Sequence, residues 1–273
     1  MSTKTQSATR RLVLSAMLLA IATVLSMIKI VDMPYGGSVT LASMLPVVII
    51  AYRFGTPWGL VSGFVYSIIQ MLLGLKNFSY VTGAASIIAL ALLDYLLAFT
   101  ALGLGGIFRK KNGSQPAAFV AGSLLVALIR YLCHVISGAT VWAGVSIPTA
   151  AALQYSAIYN ATYMLPEMLV LVIIAYYLSS TIDFGADQLK TLKNVDKEPV
   201  ARTLSIASGL VLAAAGVFDI AAIFAHLQDP ESGEFALATG LAEVNWLWVV
   251  IVSVIAIAVA LVLWLVKKKI VKK

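Results

Sequence analysis

The sequence is short of nearly everything that carries chemistry in water. Charged residues make up 11% of its 273 positions, and it has two histidines and one cysteine. A soluble globular chain carries about 25% charged residues, so a water-soluble fold is excluded. The lone thiol, Cys133, excludes an internal disulfide, and with two histidines it leaves little for a metal cluster. There is no HExxH, no GxSxG and no nucleophile–base pairing. The run from Gly103 to Gly106 lacks the Lys and the spacing of a nucleotide-binding loop. The chain is expected not to be an enzyme, to carry no cofactor or metal, and to leave any use of ATP to another chain.

What is present is apolar. Hydrophobic residues reach 61% and the mean hydropathy is +0.96, the composition of an all-α integral membrane protein. Runs of roughly 17–25 apolar residues span a bilayer as helices. Eight such segments are predicted, at 12–31, 39–54, 57–75, 83–108, 117–142, 155–179, 202–226 and 245–266. The second is short, and Pro46 inside it predicts a kink or an unusual entry. The first run follows Arg10 and Arg11 without a convincing cleavage site and reads as a retained helix. With both termini inside, sixteen of the nineteen Lys and Arg fall on the cytoplasmic side. Lys29, Lys76 and Arg130 are the exceptions, and the loop 227–244 holds Asp229, Glu231, Glu234 and Glu243 with no base. The net charge of +7 is thus explained by a lipid bilayer, not by nucleic acid. The polar stretch 181–200 divides a six-helix unit, 1–180, from a helix pair, 201–273; it reads as a cytoplasmic linker.

Two places concentrate groups that are costly in lipid. One is 130–167, with Arg130, His134, Trp142, Tyr155, Tyr159, Tyr163, Asn160 and Glu167. The other is Asp94, followed by Tyr95. Helical spacing puts Tyr155, Tyr159 and Tyr163 on one face, and Arg130 one turn from His134. A flat, cationic, heteroaromatic ligand finds here aromatic faces, a carboxylate and an amide. Other readings stand beside this one. Tyr35, Tyr80, Tyr163 and Trp142 fit interfacial anchors, and His134 fits a satisfied interhelical hydrogen-bonder. Asp94 fits a structural partner for Arg130, and an interhelical ion pair is the expected role of Glu167 with Arg130. Asp219 and His226 have no evident role. Ala16 with Ala20, and Gly59 with Gly63, are small-residue pairs that permit close helix contact. An ion-coupled secondary transporter using Asp94, Glu167 and Asp219 is the alternative from another class.

Four blocks taken together, MPYGGSVTLASMLPVVIIAYRFG (33–55), LLDYLLAF (92–99), RYLCHVISG (130–138) and YSAIYNATYMLPE (155–167), resemble the ThiT family. These are the thiamine-specific substrate-binding components of energy-coupling-factor (ECF) transporters. The resemblance covers about 1–180. It implies a six-helix S-component bundle in a bacterial cell membrane, and the two extra transmembrane helices, 201–273, lie outside that pattern. It implies thiamine held near the outer face, capped by the loop between the first two helices. Asp94 and Tyr95 match the family's acidic-Tyr pair, in which other members carry Glu. His134, Trp142, Tyr155 and Asn160 match its remaining binding positions. Ala16 and Ala20 match its docking motif for a transmembrane coupling subunit, which works with two ATPases. A ligand such as riboflavin or a thiamine precursor is the alternative within this class.

Overall fold

The structure, a computed structural model, describes residues 8–32, 37–109, 114–141, 149–186, 188–192, 199–227 and 237–271. These fall into two compact units, Met1–Lys190 and Thr191–Lys273. Among the described residues, seven helices are long and apolar enough to cross a membrane.

The first unit opens with helix α1 (Ala8–Met27). Strands β1 (Lys29–Asp32) and β2 (Ser38–Thr40) then pair antiparallel, Lys29 opposite Thr40. Helix α2 (Leu45–Phe54) corrects the second predicted span. It has ten residues, about 15 Å of rise, half of a hydrocarbon core. The run 39–54 is apolar because it is buried in protein: every α2 residue from Leu45 to Arg53 is buried. Pro46 produces no kink; it sits in the first turn of α2, where a missing N–H costs nothing.

Gly55, at φ 93°, makes the corner into α3 (Thr56–Leu73). A 3₁₀ turn, Leu75–Tyr80, leads to α4 (Ala84–Gly106), which is continuous but irregular. Its middle, Ala91–Leu97, is π-helical and its end, Ala101–Gly106, is 3₁₀. Glycine allows that end to press into its neighbours. A Cβ on Gly103 would strike the backbone of Gly59 and Leu60, and one on Gly63 would meet the Thr100 carbonyl. The pair Gly59 and Gly63 thus makes the close helix contact expected of it. Helices α5 (Gln115–Val141) and α6 (Ala150–Thr181) complete the unit. Residues after α6 are anchored to α2: the Arg53 guanidinium donates to the carbonyls of Phe184 (2.9 Å) and Ala186 (3.1 Å), and Phe184 is buried.

The second unit is a helix pair, α7 (Pro199–Phe224) and α9 (Trp246–Val271), with a short α8 (Leu237–Glu243) between them. Asp219 on α7 accepts a hydrogen bond from Ser253 on α9 at 2.5 Å.

Candidate functional site

The π-helical stretch of α4 carries Asp94 in its middle. A π turn inside an α-helix is rare and is frequently found at functional positions. Helix α5 offers Asp94 two donors one turn apart. His134 Nδ1 lies 2.7 Å from Oδ1, and the Ser137 hydroxyl donates to Oδ2 at 2.8 Å. Arg130 Nε donates to His134 Nε2 at 3.2 Å. That nitrogen is therefore an acceptor, so the proton sits on Nδ1 and points at the carboxylate. The Arg130 guanidinium also lies over the Phe99 ring, 4.5 Å from its centre. Asp94 stays 19% exposed and His134 11%, so the carboxylate is fixed in direction yet open to a further partner.

Beside this pair runs a row of rings along α6. Tyr155 stacks on Tyr159 at 6.4 Å and 5°; Tyr159 meets Tyr163 edge-on at 6.3 Å; Tyr163 meets the His134 ring at 6.4 Å and 61°. Tyr155 is the open end, 40% exposed. Tyr163 is not an interfacial anchor: it is buried and its hydroxyl donates to Asn160 Oδ1. Asn160 Nδ2 in turn donates to the Ser156 carbonyl at 2.8 Å and to the His134 carbonyl at 3.3 Å, tying α6 to the turn of α5 that carries His134. The two helices come this close because residue 138 is glycine; a Cβ there would overlap Ser156 Oγ.

Of the site residues in the sequence reading, Asp94, His134 and Asn160 come together, while Tyr155 lies further along α6, separated from His134 by the rings of Tyr159 and Tyr163. Tyr95 faces another way. Its hydroxyl donates to the Gly74 carbonyl and accepts from Asn77, both at 3.0 Å, and its ring stacks on Phe78. Trp142 lies outside the described residues. Ala16 and Ala20 are exposed on α1. Ser137 was absent from that reading, although its place three residues after His134 puts both on one helix face. The alternative reading of Asp94 as a structural partner for Arg130 gives way to His134 and Ser137, with Arg130 one bond further out.

Glu167 and Arg130 do not form the expected ion pair. Glu167 is buried and both its oxygens serve β2, accepting from the Thr40 backbone N–H (2.5 Å) and hydroxyl (2.7 Å). The N–H of Thr40, the last residue of this short strand, lies in an apolar setting, and the carboxylate supplies it a partner. The hairpin is thereby held over α6. Gly37, at φ 89°, lies so close to the Tyr163 ring that a Cβ would overlap it.

A sequence model of the family described as thiamine transporter protein (Thia_YuaJ) matches residues 12–184. The chain is 31% identical over 182 residues to the thiamine transporter ThiT of Bacillus subtilis, covering 63% of this chain and 91% of that one. A solved structure of ThiT from Listeria monocytogenes is 24% identical, with a TM-score of 0.49 over 62% of this chain and 92% of that one.

Proposed function

We propose, since this chain belongs to the thiamine transporter family, that Asp94 is the counter-charge for thiamine in a substrate-binding membrane subunit. Thiamine uptake is the family's task, and the chain is a multi-pass protein of the bacterial cell membrane. One observation carries the placement of the ligand: a carboxylate aimed by two donors, His134 and Ser137, at the end of an aromatic row. Thiamine joins a permanently cationic thiazolium to a flat aminopyrimidine. Aromatic faces attract such a cation by about 0.5–2 kcal/mol each. The free lone pairs of Asp94 accept charge-assisted hydrogen bonds, and neither His134 nor Ser137 has to leave.

Tyr155, at the exposed end of the row, then offers its ring to the ligand, Asn160 fixes the wall behind it, and Trp142 is taken as a further binding residue from the family resemblance alone. Tyr95 acts through position, pinning the π-helical turn of α4 to Gly74. The subunit docks through Ala16 and Ala20 on a transmembrane coupling subunit that works with two ATPases of other chains. It uses no cofactor of its own. Titration of the purified chain with thiamine, followed by tryptophan fluorescence and by calorimetry, tests this. Saturation by thiamine far below the concentration needed for riboflavin, biotin or the free pyrimidine half is expected. No heat and no quenching with thiamine refutes it.

A further inference from the structure

Helix α1 is joined to the bundle in an unusual way. Of its twenty residues only Ser15, Leu18 and Ala22 are buried. Leu12, Val13, Met17, Ile21, Val24 and Met27 are exposed, as are Ala16 and Ala20. What attaches it to α3 is a row of three hydrogen bonds. Trp58 Nε1 donates to Ser15 Oγ at 2.9 Å, the Tyr66 hydroxyl to the Ala22 carbonyl at 3.2 Å, and Gln70 Nε2 to Ser26 Oγ at 2.8 Å. The partners are 43, 44 and 44 residues apart. An offset that changes by only one residue means that α1 and α3 run parallel and nearly in register along the row. The Arg11 guanidinium, 4.0 Å from the centre of the Trp58 ring, adds a cation–π contact at its inner end.

Directional bonds do something in lipid that apolar contacts do not. Lipid tails are as apolar as Leu, so an apolar seam gives little preference for one rotation of a peripheral helix over another. A row of donors and acceptors is satisfied at one rotation only. At 100° per residue, Ala16 and Ala20 lie about 100° and 140° around α1 from Ser15. We propose that Trp58, Tyr66 and Gln70 are positioning residues that set the rotation of α1, and so aim the Ala16–Ala20 face at the coupling subunit. This rests on the docking role given to that face above. None of the three is placed in the thiamine site, so binding and docking separate.

The test uses the full chain with Cys133→Ser and two exposed spin-label positions, Val24→Cys on α1 and Leu128→Cys on α5, with and without Trp58→Phe and Gln70→Leu. Distances are read by pulsed electron resonance, thiamine affinity by titration, and assembly by co-purification of unlabelled protein with the coupling subunit and ATPases. One interhelical bond in a membrane is worth roughly a 2.7-fold change in population, so two lost bonds give about sevenfold. The α1–α5 distance is expected to broaden and assembly to fall about sevenfold, with thiamine affinity within twofold. Restoring one donor, with Gln70 intact and Trp58→Phe alone, is expected to raise assembly about 2.7-fold over the double variant. An unchanged distance overturns the proposal, and so does a broadened distance with full assembly. Ala16→Trp serves as the control for the underlying reading: if it also assembles fully, the docking face itself is wrong, whatever the distances show.

Discussion

Asp94→Asn isolates charge from shape. An Asn side chain keeps the size, its oxygen still accepts from His134 Nδ1, and its amide donates to the Ser137 hydroxyl once that hydroxyl turns. The two bonds that fix Asp94, at 2.7 and 2.8 Å, therefore have neutral replacements. What disappears is the charge facing the ligand. Hydrogen bonds to charged groups are worth about 1.5–3 kcal/mol against about 0.5–1.5 for neutral ones. The loss of affinity for a cationic ligand is therefore about 1–2 kcal/mol from hydrogen bonding. Coulomb attraction in a partly open site raises this to about 3 kcal/mol at most. That is a weakening of thiamine binding by roughly 5- to 150-fold. Calorimetry on both proteins in detergent, at one ionic strength, reads it directly. The free pyrimidine half keeps the amino donor but lacks the cation, so it should lose the hydrogen-bond part and not the Coulomb part. An Asn variant that binds thiamine within twofold of the parent, or that loses thiamine and the pyrimidine equally, refutes the counter-charge argument.

The other expectations divide between site, hairpin and docking face. Ser137→Ala removes one of the two donors on Asp94 and should weaken thiamine by roughly 3- to 10-fold; unchanged affinity would leave His134 alone as the aiming group. Glu167→Gln leaves one oxygen for two Thr40 donors and should cost about 1–3 kcal/mol. It is read as a lower thermal midpoint and faster amide exchange at Thr40, and an unaltered exchange rate would contradict the strand-holding role. Ala16→Trp places a large ring on an exposed face of α1 and should leave thiamine affinity intact while abolishing uptake with the partner chains. A fall in affinity instead would place α1 in the site.

The parts of the fold that were legible in the sequence are those where lipid does the sorting. Long apolar runs became α1, α3, α4, α5, α6, α7 and α9 because a helix satisfies every backbone group where water is absent. The run 39–54 misled because burial in protein selects the same residues as burial in lipid; length alone distinguishes them, and Gly55 cuts α2 after ten residues. The site followed the same logic one level up. Asp94, His134, Tyr155 and Asn160 stood out because a polar group at membrane depth has to meet another, so a search for expensive residues finds both ends of a contact. It does not find which ends meet. Arg130 and Glu167 have opposite charges and suit an ion pair. Yet Glu167 met the open N–H of a strand whose register no periodicity announces, and Arg130 met a histidine one turn along its own helix. Ser137 escaped notice because a hydroxyl in a membrane helix usually bonds back to its own carbonyls, as Ser123 does with Phe119. What turns Ser137 outward is the π-helical turn of α4, which carries a carboxylate to within 2.8 Å of it. Irregular backbone and the polar contact it permits thus specify each other, and neither is visible from one helix at a time.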